Sequence, residues 1–306
     1  MKTFLCCMGV LFASFILLPS LAFSGDLKSA DIPDPEITDE SGEITLKDGT
    51  EEKKLPLEEY IEGVVLAEMP ASYNEEALKA QSVAARTYAV NKMRSKVHEN
   101  GALCTDYSCC QAYVAPENYT GGEENLKKVK KAVLSTAGVI MTYDGEPITA
   151  VFHAMSAGQT ASAKDVWGSD VPYLKPVDSP LEKNEENFET TLKVPLSEFT
   201  EKLKTLSSDY TGGLDVPPPE RDGSGYIRRI TIGGVTFSGN SLRNLFSLRS
   251  TNFNLGFDGD FAVFTVRGYG HGVGMSQHGA NLLAQNGENY KEILKTYYTG
   301  ISFDRI

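Results

Sequence analysis

A predicted helix that begins at Leu57 and ends in Glu68, just before Pro70, constrains the fold most. Its apolar residues recur with the helical period and are Leu57, Tyr60, Ile61, Val64 and Val65. Glu68 is the next position of the same series, so the pattern predicts a carboxylate on the buried face. Pro70 cannot continue a helix and disfavours helical geometry at Met69, which places Glu68 in the last turn.

The environment predicted for Glu68 disfavours a negative charge. Burial destabilises the ionised carboxylate, and the negative end of the helix dipole does the same. Both effects raise the pKa of the carboxyl group, as a general acid that works near neutral pH requires. The alternative is a surface glutamate that forms a cap or an ion pair, on a helix rotated slightly from this estimate.

A second helix is predicted from a cap at Asn74 to about Val97. Its small residues, which would let another backbone approach closely, are Ala77, Ala80, Ala84 and Ala85. Gln81 and Tyr88 lie on the same side, and Arg86 lies near its edge. Polar groups on a packing face need partners, and a bound ligand rich in hydroxyl groups would supply them.

The loop after this helix concentrates soft metal ligands, namely His98, Cys104, Cys109 and Cys110. This set suits a tetrahedral zinc ion, although its spacing is less diagnostic than paired Cys-x2-Cys motifs. The alternatives are a disulfide from Cys104 to Cys109 or Cys110, and three buried free thiols. The odd number of cysteines outside the N-terminal leader weakens the disulfide interpretation.

The dipeptide Asp144-Gly145 is a hairpin signal, and the residues that flank it predict strands at Val139 to Tyr143 and Pro147 to His153.

Two later motifs place polar side chains in loops where ligands commonly bind. In VFHAMSAGQT, a strand opens into small residues with Ser156, Gly158 and Gln159. Ser156 as a nucleophile is one interpretation, but the stretch lacks the Gly-x-Ser-x-Gly pattern, and a turn serine satisfying its own backbone is favoured. Trp167, which follows, suits either stacking on a sugar ring or a place in the core.

In GYGHGVGMSQHG, alternating glycines would allow the backbone to approach a ligand, and a helix start supplies free amides. No Lys-Ser/Thr pair follows, so the motif is not a phosphate-binding loop. The residues alone leave His271 and His278 open as metal ligands, acid–base groups or structural residues of the loop.

Three separated stretches resemble the stage II sporulation protein D family in the family's order. They are EYIEGVVLAEMPASYNEEALKAQSVAARTYA, VFHAMSAGQT and GYGHGVGMSQHGANLLAQNG, and the resemblance covers residues 55–303. It implies a peptidoglycan lytic transglycosylase of spore-forming bacteria, with Glu68 as the catalytic residue. The glycan contacts that we assign with its help are Gln81, Arg86, Tyr88, Ser156, Gly158, Gln159, His271, Ser276 and Gln277.

The resemblance also bears on the metal and the partners. Some clostridial members of the family carry zinc near this position, which implies zinc on His98, Cys104 and Cys110, with Cys109 or a second ligand completing the set. We expect a structural site, because the family's chemistry needs no metal. The implied partners are peptidoglycan strands stripped of stem peptides, a cell-wall amidase, and membrane proteins of the engulfment complex at the septum.

The motifs supply one patterned carboxylate, whereas an ordinary glycosidase needs two. A lytic transglycosylase needs one, because the 6-hydroxyl of N-acetylmuramic acid attacks C1 of the same sugar. We therefore expect Glu68 to act first as the acid and then as the base. The rival interpretations are a non-catalytic enhancer of an amidase, a role described for relatives sharing the domain, and a zinc-dependent amidase or peptidase built on His98, Cys104 and Cys110.

Composition and segment order complete the predictions. The apolar run within residues 1–24 predicts an exported chain, with either a cleaved signal peptide or a membrane anchor. The net charge of −12 argues against nucleic acid as a partner and favours glycan binding through specific hydrogen bonds. We expect a polar linker at residues 25–54, with at most a short strand at Glu43 to Leu46. An α+β domain follows at residues 55–306, with a helical core, mixed and antiparallel sheets, and a secondary lobe at 176–256 that forms one wall of a glycan cleft.

Overall fold

The computed structural model describes residues 42–49 and 51–306, and a pair of helices lies at its centre. Helix α1 spans Leu57–Glu68 and α2 spans Glu75–Arg94. The five apolar residues of the α1 stripe are at most 1% exposed, as the periodicity predicts. Asn74 caps α2 by accepting a hydrogen bond from the backbone of Glu76 at 3.0 Å.

The predicted leader and residues 25–41 of the predicted linker lie outside the described residues. Within the described part, no helix has the length and apolar character needed to cross a membrane.

The remaining helices pack mainly around α2 or in the second half of the chain. They are α3 (Glu123–Ser135), α4 (Ala163–Trp167), α5 (Leu196–Leu206), α6 (Gly239–Phe246), α7 (Gln277–Gln285) and α8 (Tyr290–Tyr297). Helix α2 contacts α1, α3, α7 and α8, so it is the element around which the first half of the fold is built. Its small residues, at Ala77, Ala80, Ala84 and Ala85, are fully buried and permit this close packing.

The strands form several small sheets. They are β1 (Glu43–Asp48), β2 (Glu51–Pro56), β3 (Leu103–Cys104), β4 (Val139–Tyr143), β5 (Glu146–Pro147), β6 (Phe152–His153), β7 (Glu189–Pro195), β8 (Glu220–Arg221), β9 (Ile227–Ile232), β10 (Val235–Ser238), β11 (Phe253–Asp258), β12 (Phe261–Arg267), β13 (Met275–Ser276) and β14 (Ser302–Arg305). The sheet orders are β2-β1-β3, β10-β9-β8, β11-β12-β7, β13-β6 and β14-β4-β5. Pairing is antiparallel except for β1 with β3 and β13 with β6. The predicted α+β class with mixed and antiparallel sheets is confirmed.

The hairpin predicted at Asp144-Gly145 joins β4 to β5, and both turn residues have positive φ, at 51° and 80°. The strand predicted from Pro147 to His153 is interrupted, however. Its first residue belongs to β5 and its last two form β6, which pairs in parallel with β13 and so approaches the glycine-rich motif.

The predicted linker ends earlier than residue 54. The anticipated strand at Glu43 is present but extends to Asp48, and it forms a hairpin with β2 directly before α1. Ile44 and Leu46 are 2% and 1% exposed, so this hairpin belongs to the core. Strand β2 could not be predicted from the sequence, because its first four residues, EEKK, are all exposed and charged.

A second hydrophobic cluster is formed by residues between Val194 and Val266, most of which belong to the predicted secondary lobe. The cluster also includes residues of β12, which lies beyond the predicted boundary at residue 256. The segment that precedes β7 packs outside this second cluster, because its Glu182 accepts hydrogen bonds from the Ser156 backbone and the Ser276 hydroxyl. Phe199 of α5 and Phe264 of β12 are both fully buried at the centre of this second cluster.

Candidate active site

A cavity of 330 Å³ brings distant parts of the chain to Glu68. Its lining residues are Glu68, Tyr88, Tyr107, Cys110, Gln111, Ala112, Val151, Phe152 and His271. Helix α1 supplies Glu68 from its last turn and α2 supplies Tyr88. The loop after α2, the chain beside β6 and the glycine-rich motif form the other walls. Of the predicted site residues, Glu68, Tyr88, Cys110 and His271 therefore meet here.

Glu68 lies half-buried at the end of α1, where the predicted stripe ends. Burial raises the pKa of its carboxyl group above the ordinary glutamate value. A hydrogen bond from the backbone N–H of Ala112 to Oε1, at 3.3 Å, lowers the pKa in part but does not reverse the shift. The carboxyl group therefore holds its proton to higher pH than a solvent-exposed glutamate.

His271 forms a fixed, neutral part of the cavity wall. Its Nδ1 accepts a hydrogen bond from the backbone N–H of Val273 at 3.1 Å, which leaves Nε2 as the protonated nitrogen. Burial, with a smaller effect from Arg243, lowers the pKa of His271 to about 4. The ring therefore carries no charge at neutral pH and can act there as a hydrogen-bonding and packing group.

His153 supports His271 from behind, with their ring centroids 5.7 Å apart. His153 is 4% exposed, and burial lowers its pKa to about 3. Its Nδ1 donates to the carbonyl oxygen of Val273 at 3.1 Å. A pair of neutral imidazoles thus connects β6 to the glycine-rich motif.

The glycines of this motif let its backbone pack against the chain around β6. At Gly274 the φ angle is +73°, and an added Cβ would lie 2.0 Å from the carbonyl oxygen of Val151. At Gly270 the φ angle is +115°, and an added Cβ would lie 2.7 Å from the Cβ of His153. Close approach of the backbone is thus required, as predicted, but the approaching partner at these two positions is protein.

Ser156 and Ser276 do not line the Glu68 cavity, because both bind the buried carboxylate of Glu182. Oε1 of Glu182 accepts hydrogen bonds from the Ser156 backbone N–H at 3.0 Å and from the Ser276 hydroxyl at 2.6 Å. Oε2 accepts from the Ser156 hydroxyl at 2.5 Å. All three residues are fully buried, so their network joins the two predicted motifs structurally. The sequence offered no signal for Glu182.

Arg86, predicted to contact glycan, lies in the core instead. Its guanidinium is fully buried and donates from Nε to Oε1 of Glu58 at 2.8 Å. It also donates to the carbonyl oxygens of Val133 and Val139. The helical spacing placed Arg86 near the packing face correctly, but a second buried charge, Glu58, supplies the partner that we assigned to a ligand.

The remaining predicted contacts are also set apart from the cavity lining. Gln81 and Gln277 are 0% and 5% exposed, and the Gln277 amide donates to Oε1 of Gln81 at 3.4 Å between α2 and α7. Gly158 has a φ angle of +93° and packs beneath the Lys183 side chain. Gln159 donates to Asp178 at 2.8 Å on a more exposed loop.

The predicted metal ligands converge on one point. One donor atom from each of His98, Cys104, Cys109 and Cys110 lies within 4.8 Å of all the others. The three thiols are free, so neither predicted disulfide is formed. Burial raises the pKa of the Cys110 thiol to about 12, so a thiolate here needs a neighbouring cation. The donor set and spacing fit a metal ion.

The cluster and the cavity share a loop. Cys110 belongs to both, and the next two residues, Gln111 and Ala112, continue along the cavity wall to Glu68. Tyr107 lies in the same loop and is 81% exposed at the cavity. A metal ion on this cluster would fix the loop that donates to Glu68. Nothing in the sequence indicates that the cavity is also lined by Tyr107, Gln111 and Ala112, because only the folded path of the loop brings these residues to the cavity.

Comparison with known proteins identifies the family. A sequence model described as "Stage II sporulation protein" matches residues 47–143. The chain is 39% identical over 258 residues to "Stage II sporulation protein D" of Bacillus subtilis (strain 168), covering 81% of this chain and 74% of that protein. It belongs to the stage II sporulation protein D family. The homologue of the same name from Bacillus amyloliquefaciens is 37% identical, with the same coverage of both chains.

The chain is also similar to a protein that carries a different name. The "Amidase enhancer" of Bacillus subtilis (strain 168) is 29% identical over 292 residues, which cover 78% of this chain and 39% of that protein. The family model match includes Glu68 and all four residues of the histidine–cysteine cluster. In this member of the stage II sporulation protein D family, the cluster and the half-buried carboxylate are thus parts of one matched region.

Proposed function

We propose that this chain is a peptidoglycan lytic transglycosylase that uses Glu68 to cleave the bond between N-acetylmuramic acid and N-acetylglucosamine. The observation that carries the proposal is a half-buried carboxyl group with a raised pKa in the wall of a 330 Å³ cavity. Among the described residues that line this cavity, Glu68 is the sole carboxylate. One acid suits a reaction in which the substrate supplies its own nucleophile.

The proposed reaction uses Glu68 twice. The neutral carboxyl group donates its proton to the glycosidic oxygen, and the bond from C1 of N-acetylmuramic acid to that oxygen breaks. The resulting carboxylate then takes the proton of the 6-hydroxyl of the same sugar, whose oxygen bonds to C1. The products are a free N-acetylglucosamine hydroxyl and a 1,6-anhydro end, and Glu68 returns to its neutral form.

The other cavity residues would bind and orient the sugar. Tyr88 and Phe152 supply ring surface, and the Ala112 amide keeps Glu68 in place through its bond to Oε1. His271 stays neutral near pH 7, so it would stabilise the sugar by contact and hydrogen bonding without competing for the proton. Binding would rest on such specific contacts, because the chain carries a net charge of −12 and its substrate is anionic.

We further propose that the histidine–cysteine cluster holds a structural zinc ion. Four protein donors leave no coordination position for water in a tetrahedral site, which is the arrangement of structural rather than catalytic zinc. When bound, the ion would stabilise the loop that carries Tyr107, Gln111 and Ala112. This assignment argues against a zinc-dependent amidase built on His98, Cys104 and Cys110.

The proposed location and partners follow from the family and the leader. We place the chain outside the cytoplasmic membrane, exported through its N-terminal apolar segment and held at the membrane by it, facing the cell wall. Its substrate would be glycan already stripped of stem peptides by a cell-wall amidase. Together with that amidase and a membrane protein, it would thin the septal wall during engulfment in sporulation.

A second candidate function is a non-catalytic module that stimulates an amidase. The similarity to the amidase enhancer favours it, because that protein shares an alignable region covering most of this chain. The two functions make different demands on Glu68, since stimulation of another enzyme does not need a proton donor in the cavity.

Release of soluble fragments from peptide-free glycan tests the proposal. We expect the wild-type chain to release fragments without any amidase present, and Glu68→Gln to lower the rate by at least about 100-fold while still binding glycan. Glu59→Gln, on the same helix and outside the cavity lining, is the matched control and should retain activity. Stimulation of an amidase by Glu68→Gln, with no fragment release by the wild type, would support the enhancer function instead.

A further inference from the structure

Trp167 lies outside the lining of the Glu68 cavity, and nearly half of its surface is exposed to solvent. It is the chain's single tryptophan and is 47% exposed. Its ring centroid lies 5.4 Å from that of His271, at an interplanar angle of 52°. Because His271 lines the cavity, the half-exposed indole lies in direct contact with a residue of the cavity wall.

Trp167 is the last residue of helix α4, and both ends of this helix are capped. Helix α4 is capped at its start by Ser162, whose hydroxyl accepts from the Asp165 backbone at 3.1 Å. Its end is fixed by Gly168, which has a φ angle of +81° and donates to the Lys164 carbonyl at 2.9 Å. An aromatic surface held in this way loses little conformational freedom on binding a ligand.

The cavity is too small for a polymer. Its 330 Å³ lies at the lower end of the roughly 300–1,000 Å³ range of sites for drug-sized ligands, so it holds only a short stretch of glycan. The rest of the strand must leave along a neighbouring surface. Trp167 offers such a surface, since the C–H-rich faces of pyranose rings pack well on an exposed indole.

Tyr107 is more exposed but lines the cavity itself, and the exposed aromatic side chains outside the lining fit this role less well than Trp167. Phe257 and Phe261 are 36% and 41% exposed but belong to strands of the secondary lobe, outside the cavity lining. Tyr269 is 48% exposed, yet the Arg249 guanidinium lies 4.7 Å from its ring centroid and covers one face. Trp167 instead has direct ring contact with a residue of the cavity.

We propose that Trp167 is a binding residue for a sugar ring of the glycan strand adjacent to the rings held in the cavity. The inference rests on the proposed function, because its occupant is the same glycan. It makes Trp167 a determinant of strand length, so that longer fragments bind more tightly than those that fill the cavity alone. Trp167 has no part in the proton transfers.

Tryptophan fluorescence provides the test, because every tryptophan signal of the chain comes from Trp167. Peptide-free glycan fragments of increasing length are titrated into the full Glu68→Gln chain, which cannot consume them. We expect long fragments to shift the emission to shorter wavelength and to protect the indole from iodide quenching. Fragments short enough to occupy the cavity alone should leave both signals unchanged.

Calorimetric titration of variants gives the second readout. Trp167→Ala, made in the same Glu68→Gln chain, should weaken binding of long fragments by roughly threefold to tenfold and leave short fragments unaffected. Trp167→Phe should retain part of the length dependence, because a ring remains. Phe261→Ala removes a comparably exposed aromatic from the secondary lobe and should bind all fragments like its parent.

The outcomes separate this inference from the proposed function. Unchanged fluorescence and unchanged affinity in Trp167→Ala, in a chain whose wild type releases glycan fragments, would overturn the subsite and leave the enzyme intact. A length-dependent signal in a chain that releases no fragments would support the subsite while the transglycosylase fails. If Trp167→Ala weakened the binding of short and long fragments equally, Trp167 would belong to the cavity itself and the inference would be overturned.

Discussion

At the scale of single residues, two carboxylates of α1 lie in contrasting environments, one in an ion pair in the core and one at the cavity. Glu58 is 3% exposed and is neutralised by the fully buried Arg86, which fixes α1 against α2 and β4. Glu68, ten residues later on the same helix, has a backbone amide as its partner and lies half-buried at a cavity. Burial at this second position raises the pKa of the Glu68 carboxyl group and so favours its neutral form.

Truncating the buried ion pair should strongly destabilise the protein. In Arg86→Ala, Glu58 remains buried without its cation, so we expect the free energy of unfolding to fall by about 3–5 kcal/mol. Denaturant unfolding monitored by circular dichroism measures it. Arg94→Ala removes an exposed pair with Glu146 and should cost under about 1 kcal/mol. Similar losses in both variants would show that the Glu58–Arg86 pair is not the anchor described here.

The raised pKa of Glu68 should appear in the pH dependence of stability. A carboxyl group whose folded-state pKa is raised binds protons more tightly in the folded state, so stability is lost as pH rises through that pKa. Glu68→Gln removes this loss. We therefore expect the variant to gain stability relative to wild type as pH rises above the ordinary glutamate pKa of about 4.3.

Glu75 supplies a control of opposite sign. Burial acts to raise the pKa of its carboxyl group, but Lys79 and Lys131 lower it overall. Glu75→Gln should therefore lose stability relative to wild type as pH rises toward the ordinary glutamate pKa of about 4.3 from below, and the difference should stay constant at higher pH. Parallel unfolding curves at several pH values measure both variants. If Glu68→Gln followed Glu75→Gln in sign, the neutral-acid interpretation of Glu68 would be wrong.

At the scale of elements, the loop from His98 to Ala112 links the metal cluster to the cavity. Burial raises the pKa of the Cys109 and Cys110 thiols, so without a metal ion both stay protonated. We expect zinc to stabilise this loop in the folded state alone.

Removing the metal should lower the melting temperature and loosen the loop. We expect a chelator, or Cys110→Ser, to reduce the melting temperature by roughly 5–10 °C and to speed proteolytic cleavage near Tyr107. Thermal melts and mass analysis of the fragments measure the two effects. Adding zinc back should restore the chelated wild type but not Cys110→Ser. A melting temperature indifferent to both treatments would contradict a structural metal.

Elements with strong local patterns could be predicted from the sequence. The apolar stripe fixed α1 and the position of Glu68, and the Asp144-Gly145 turn fixed the β4–β5 hairpin. Strands β2 and β7 could not be predicted, because most of their side chains are exposed and do not alternate regularly between buried and exposed positions. Their place is decided by pairing with distant strands, which no local window contains.

The candidate site divides in the same way. Motifs identified Glu68 and His271, and the four soft ligands identified the cluster. Arg86 and Ser156 were assigned to a ligand because their buried partners, Glu58 and Glu182, carry no signal in the sequence that would pair them. A polar residue on a packing face needs a partner, but the sequence does not say whether that partner is protein or ligand.

At the scale of the whole molecule, the acidic surface governs how the chain meets its substrate. The net charge of −12 repels anionic wall polymers, and added salt screens this repulsion. We therefore expect the affinity for peptide-free glycan to stay constant or rise as the ionic strength is increased. Calorimetric titrations of Glu68→Gln at several salt concentrations measure it. Affinity that falls steeply with salt would show that charge attraction drives binding.

The central claim is that a single neutral carboxyl group, Glu68, cleaves glycan in a reaction that consumes no water molecule, because the 6-hydroxyl of the substrate is the nucleophile. Mass spectrometry of the fragments released from peptide-free glycan tests this claim most directly. The account predicts 1,6-anhydro ends from the wild-type chain, each lighter than a reducing end by one water, and none from Glu68→Gln. Reducing ends from the wild type, or anhydro ends from Glu68→Gln at an undiminished rate, would contradict it.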